Sequence, residues 1–181
     1  VGSEGLITEA LHFGFGRPTG IPLEEFGGFV PTNAWMIENE RGRDMTRGDI
    51  WNFVIGQGYT EATPLQVAQA MAGLANGKFV PRAHLIKQVQ NASNQVVESF
   101  APPPLTTLDI KEEDLAVIHG GMIDCVNAGN GTGRWGSCSY ATVAGKTGTA
   151  QVYRSSAGVA GAVAPGGRSP QLTHRLGAFC P

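Results

Sequence analysis

Residues 144–151 read AGKTGTAQ, an ammonium and two hydroxyls set among small residues. Gly145 and Gly148 remove side chains on both sides of the Lys146–Thr147 pair. Glycine weakens a strand interior and often marks a place where a ligand or another backbone comes close. Lys146, Thr147 and Thr149 then stand beside accessible backbone N–H groups. That set suits an anionic, amide-like ligand: cation and hydroxyls match a carboxylate, and N–H groups match a carbonyl oxygen. Two other readings compete. A phosphate loop needs glycine five residues before the Gly-Lys pair and a helix after it. Tyr140 occupies that position, and TGTAQVY favours a strand over a helix. A surface strand with one solvated lysine is the plain alternative, since Lys-Thr-Gly alone is short and common.

The rest of the chain offers little rival chemistry. His12, His84, His119 and His174 lack metal-ligand spacing, and His119 reads as a helix-face residue. Cys125, Cys138 and Cys180 contain no C-x-x-C pair. They read as scattered structural thiols, although a Cys125–Cys138 bridge is geometrically possible. Gln57 and Tyr59 read as loop scaffold. Trp35, Trp51 and Trp135 are expected to pack, the default for large aromatics. Glu112, Glu113 and Asp114 read as an acidic helix start. No metal or organic cofactor is expected. A net charge of −2 without a basic block argues against nucleic acid as a partner. The 41% hydrophobic content over 181 residues suffices for the core of one domain or a large piece of one. No apolar run approaches the roughly 18 residues of a membrane span.

The elements that must position the lysine stretch are read from period and punctuation. Leu6, Ala10 and Phe13 recur at near-helical spacing until Gly14 and Gly16. RPTGIPLEEFGGFVPTNAW reads as an extended loop, and residues 38–49 as polar and exposed. The strongest helix signal starts at Thr63, with Pro64 at the first helical position and Gln66 completing a capping box. Leu65, Ala68, Ala72 and Ala75 form its expected apolar stripe, and Gly77 its left-handed stop. Strands near 84–90 and 95–100 make a hairpin turning at Asn91–Asn94, where the Asn91 sequon reads as turn chemistry. APPPLTT is a stiff connector. A second helix is expected from Asp109, capped by Asp109 and Glu112, with Leu115, Ile118, Met122 and Val126 on its apolar face. Gly120 and Gly121 either weaken it or allow close packing. A glycine-rich loop, NAGNGTGRWGS, leads to the lysine strand. A loop at 154–171 and a strand in LTHRLGAF follow.

Together these segments resemble a known family. AGKTGTAQV looks like the K-T-G motif of penicillin-binding proteins and class A β-lactamases, in its transpeptidase form. IGQGYTEATPLQVAQAMAGLANG (55–77) is similar to the segment that such transpeptidases carry between their second and third motifs. It resembles most the class B, elongation-type enzymes of the penicillin-binding protein 2 kind. GFGRPTGIPLEE, GNGTGRW and THRLGAFCP also fit, so the resemblance runs in order along nearly the whole chain.

The resemblance implies the penicillin-recognising α/β (α+β) fold, an antiparallel sheet with packed helices. It implies a serine acyl-transfer reaction on peptidoglycan stem peptides ending in D-Ala-D-Ala, with β-lactams acylating the same serine. Lys146 would be the electrostatic anchor supporting proton transfer. Thr147 and Thr149 would hydrogen-bond the substrate carboxylate, and Gly148 would keep the strand open. The Thr149 N–H would form half of an oxyanion hole, a donor worth about 2.7–4 kcal/mol in a working site. Strict alternation puts Lys146 and Thr147 on opposite faces, so the strand is expected to twist or lie edge-on. The family's nucleophile is the serine of S-x-x-K. None of Ser3, Ser93, Ser99, Ser137, Ser139, Ser155, Ser156 and Ser169 has lysine three residues on, or Asn or Asp two residues on. The chain begins at Val1 and ends in GAFCP, so it is expected to be a C-terminal part of the transpeptidase domain lacking the nucleophile region and the final strand. The resemblance further implies an inner-membrane parent with this domain on the periplasmic side, in company with elongation-complex membrane proteins. A β-lactamase or β-lactam sensor of the same superfamily, and a non-catalytic truncated interaction module, stay open as alternatives.

Overall fold

The computed structural model describes residues 2–152 and 172–180, the segments 150–152 and 172–180 as backbone. Five helices lie in these residues: α1 (Ser3–His12), α2 (Asn33–Asn39), α3 (Arg47–Val54), α4 (Pro64–Asn76) and α5 (Glu112–Asn127). The strands are β1 (Phe79–Val80), β2 (Gln88–Gln90), β3 (Val96–Ser99), β4 (Thr106–Thr107), β5 (Ala144–Val152) and β6 (Leu172–Cys180). β1 pairs antiparallel with β4, β2 antiparallel with β3, and β5 neighbours β6. The expected loop at 154–171 lies outside the described residues. The chain divides into two compact units, one of residues up to Gly121 and one of Met122–Phe179.

In the first unit, α4 forms as its caps dictate. The Thr63 side chain accepts from the Gln66 N–H, the Gln66 side chain accepts from the Thr63 N–H, and Gly77 closes the helix at φ +65°. The expected apolar stripe is not the buried one. Leu65, Ala68 and Ala75 are exposed, whereas Gln66, Gln69, Ala70 and Gly73 are buried. The reason lies in the Pro/Gly-rich segment, which has few regular backbone hydrogen bonds of its own. Gln66 Nε2 donates to the carbonyls of Arg17 (2.8 Å) and Gly27 (2.6 Å). Gln69 Nε2 donates to those of Thr19 (2.9 Å) and Pro81 (2.6 Å). Buried backbone acceptors require partners, and here two glutamines supply them. Ile7, Val30, Met36, Val80 and Leu108 complete the buried apolar set of this unit. The residues flanking β4 extend the β1–β4 ladder: the Leu105 and Leu108 N–H groups donate to the Val80 and Lys78 carbonyls.

Two helices were not foreseen. α2 begins inside the expected extended loop, capped by Thr32. α3 begins inside the expected polar stretch, where Thr46 and Asp49 form a reciprocal capping box. Arg43 closes on the same carboxylate at 2.6 Å. Both begin on local polar caps, and at seven and eight residues they are too short to show an apolar period. α5 starts at Glu112, so the Asp109–Glu112 capping box is not formed. Met122 and Val126 are buried, Leu115 is half-buried and Ile118 is exposed. A Cβ at Gly120 or Gly121 would meet nothing within 4 Å, so close packing is not their role among the described residues.

The hairpin forms where expected. Asn91 Oδ1 accepts from the N–H groups of Ser93 and Gln95, and Asn94 takes φ +59°. All residues of β2 and β3 are exposed. Trp35 packs edge-on between Phe29 (4.9 Å) and Tyr59 (5.2 Å), with Tyr59 serving as scaffold. Among the described residues Trp51 and Trp135 do not pack, at 71% and 99% exposed. The His119 ring bonds the Leu74 carbonyl at 2.9 Å, a structural helix-face role. Cys125 and Cys138 are free thiols. No helix is long and apolar enough to cross a membrane among the described residues.

Candidate functional site: the lysine strand and its neighbours

The second unit carries the chemistry singled out from the sequence. β5 begins at Ala144, and Lys146, Thr147, Gly148 and Thr149 all lie in it. The strand is therefore real, and no helix follows the lysine as a phosphate loop requires. Its entry is tied to the end of α5. Asn127 Nδ2 donates both to the Ile123 carbonyl within the helix (2.7 Å) and to the Val143 carbonyl just before the strand (2.8 Å).

The loop between α5 and β5 folds back on the helix end. Ala128 and Gly133 N–H groups donate to the carbonyls of Asp124 (3.0 Å) and Cys125 (2.8 Å), closing orphan acceptors of the last turn. A side chain at Gly131 would place its Cβ 2.4 Å from the Cys125 carbonyl oxygen, so only glycine lets the loop come this close. Arg134 leads a short 3-10 turn (Arg134–Gly136) and donates to the Gly129 carbonyl at 2.9 Å.

This loop brings Thr132 to the strand. Its hydroxyl lies 3.0 Å from the Thr147 hydroxyl and 3.4 Å from Cys125 Sγ. Thr147 is half-buried, whereas Lys146, Gly148 and Thr149 are exposed. Lys146 Nζ donates to the Thr147 carbonyl at 2.9 Å. Hydrogen bonding from Thr132, followed by the Thr147 N–H, lowers the Cys125 thiol below its ordinary range; partial burial opposes this, and the Gly133 N–H and Lys146 charge assist.

The sequence reading named Lys146, Thr147, Gly148 and Thr149, and one strand holds all four. It missed Thr132 and Cys125. The glycines flanking Thr132 repeat the pattern seen around the lysine pair, and that was the available signal. Chemically, the arrangement offers one ammonium, exposed and half-buried hydroxyls, and strand N–H groups, all of them suited to an anion next to a carbonyl. Among the described residues no group of His, Cys, Asp and Glu is placed to hold a metal ion.

Comparison with known proteins gives these residues their setting. The penicillin binding protein transpeptidase domain family matches residues 1–163. The chain is 43% identical over 159 residues to the peptidoglycan D,D-transpeptidase MrdA of Haemophilus influenzae, covering 84% of this chain and 24% of that protein. It is 36% identical over 146 residues to MrdA of Escherichia coli K12, covering 78% and 22%. Among solved structures it resembles Pseudomonas aeruginosa PBP2 in complex with WCK 5153, with a TM-score of 0.67 and 32% identity over 83% of this chain and 32% of that one. Helicobacter pylori PBP2 in complex with MreC gives 0.65 and 31% over 84% and 27%. The chain thus spans 24% and 22% of the two curated relatives named. The mixed helix-and-strand architecture expected from the sequence is that of these domains, in part. The chain belongs to the penicillin-binding protein transpeptidase domain family.

Proposed function

We propose that this chain supplies the K-T-G wall of a class B, elongation-type peptidoglycan D,D-transpeptidase. In the reaction a serine Oγ adds to the carbonyl of the penultimate D-Ala of a stem peptide. The amide C–N bond breaks, and D-Ala leaves with the proton on its amine. An amine of a neighbouring stem then attacks the ester, forms the cross-link amide and returns the proton to the serine. Lys146 anchors the site electrostatically, Thr147 and Thr149 bond the terminal carboxylate, and Gly148 keeps the strand open to the peptide. The Thr149 N–H serves the oxyanion. β-Lactams enter by the same route.

The observation that carries this reading is the position of Lys146–Thr149 in one strand, with Lys146, Gly148 and Thr149 exposed, inside a family match spanning most of the chain. The nucleophile is assigned to a part of the domain preceding Val1, since no serine of these residues has lysine three positions on. By the same reading the working protein sits in the bacterial inner membrane with this domain on the periplasmic side. Elongation-complex membrane proteins are its partners, as MreC is for the Helicobacter pylori relative.

A labelled penicillin tests the reading. The full-length protein carrying this segment takes up covalent label, and Lys146→Ala slows acylation by about 100-fold or more, the scale of losing a transition-state electrostatic group. The chain of 181 residues takes up none. Label bound covalently to the 181-residue chain, or full acylation by Lys146→Ala, refutes it.

A further inference from the structure

The Thr147 hydroxyl does not stand alone. It is one end of a row in which Thr132 Oγ1 lies 3.0 Å from Thr147 Oγ1, and Cys125 Sγ lies 3.4 Å from Thr132 Oγ1. Each of these groups owns one proton, and each hydroxyl both donates and accepts. The row can therefore point in one direction at a time. A carboxylate only accepts, so binding one at Thr147 requires the Thr147 proton to point outward. Thr147 then accepts from Thr132, and Thr132 accepts from the Cys125 S–H. A thiolate at Cys125 demands the reverse order: Thr132 donates to sulfur, Thr147 donates to Thr132, and no proton is left for the ligand.

Thr132 is held in place for this role. The Gly133 N–H is fixed to the Cys125 carbonyl at 2.8 Å, and a Cβ at Gly131 would lie 2.4 Å from the same oxygen. The loop cannot drift from the helix end without giving up that bond. Lys146 is the charged group whose field reaches Cys125, and it favours the thiolate.

Building on the transpeptidase reading above, we propose that Thr132 is a positioning residue: it sets the direction in which Thr147 donates, and thereby tunes recognition of the substrate carboxylate. The row makes carboxylate binding and Cys125 ionisation antagonistic. A bound carboxylate turns the donors outward and raises the pH at which Cys125 ionises.

The test uses the full-length protein carrying this segment, with a labelled penicillin and its methyl ester, which lacks the carboxylate. Thr132→Val slows acylation by the acid about fivefold, the scale of one neutral hydrogen bond, and changes acylation by the ester less than about twofold. Thr132→Ser restores the acid rate. A variant that slows acid and ester alike has only a structural role, and one that slows neither has no role; both overturn the proposal. A second readout needs no variant. The pH midpoint of Cys125 alkylation by iodoacetamide, followed on its own peptide by mass spectrometry, moves up in the acid adduct relative to the ester adduct. Equal midpoints overturn the proposal. A wild-type protein that takes no label overturns the transpeptidase reading itself, a result distinct from equal effects of Thr132→Val on acid and ester.

Discussion

Replacing Gln66 by leucine should cost more than truncating the leucine beside it. Gln66 is fully buried, and its side chain makes three hydrogen bonds: from the Thr63 N–H at 2.8 Å, and to the Arg17 and Gly27 carbonyls at 2.8 and 2.6 Å. Leucine fills nearly the same volume but leaves one donor and two acceptors without a protein partner. Each such loss costs about 1–3 kcal/mol. Arg17 and Gly27 are only half-buried, so water recovers part of it, and about 1.5 kcal/mol each is a fair figure. Burying leucine in place of an amide returns about 2 kcal/mol. The net loss is about 2–3 kcal/mol. Leu65→Ala serves as the contrast, because Leu65 is 38% exposed and its truncation should cost about 1 kcal/mol or less. Urea denaturation of the domain carrying this segment measures both, with an unchanged m-value showing that the denatured state is the same. If Leu65→Ala proves the more damaging, the glutamines are not what fastens the 17–27 segment to α4, and the reasoning fails.

Other predictions concern the polar knot and the loop. Partial burial acts to raise the Asp49 pKa, but hydrogen bonds from Arg43 and Thr46 outweigh it and bring the value from 3.8 to about 2. A carboxyl depressed on folding stabilises above its unfolded pKa and loses that contribution as pH falls. Stability measured from pH 4 down to pH 2 should therefore decline less steeply in Asp49→Asn than in the wild type, by about 1 kcal/mol at most after solvent screening. Gly131→Ala should destabilise the domain by about 1–3 kcal/mol in thermal or urea unfolding, since its Cβ would meet backbone rather than a movable side chain. An unaffected Gly131→Ala would mean that the loop is not fastened to the end of α5 as described.

What could be read beforehand follows the range over which each signal acts. The α4 caps, the Gly77 stop and the Asn91–Asn94 turn are local chemistry, written within four residues, and they appear as expected. The lysine strand was legible for the same reason: glycines around Lys146 and Thr147 are visible without a fold. The buried face of α4 was not legible. Hydropathy selects Leu65 and the alanines, yet what decides is the hydrogen-bond demand of a loop some 40–50 residues away. α2 and α3 escaped notice because polar caps, not an apolar period, hold their ends. Trp51 and Trp135 show the limit of a burial default, since neither side chain is covered among the described residues. Thr132 was invisible as an individual because its role depends on where α5 ends and β5 begins.

The α5–β5 connection also determines where this chain can change length. Residues 128–133 are fixed at one end by bonds to the last helical carbonyls, and at the other by Thr132 against Thr147. One added or deleted residue there shifts Thr132 out of reach of the lysine strand. The tip at Asn91–Asn94 has no such double attachment: it joins two fully exposed strands, and a longer turn there disturbs only its own hairpin. Relatives of this chain that differ in length have room to do so at the hairpin, while residues 128–133, between α5 and the lysine strand, act as a spacer of fixed size.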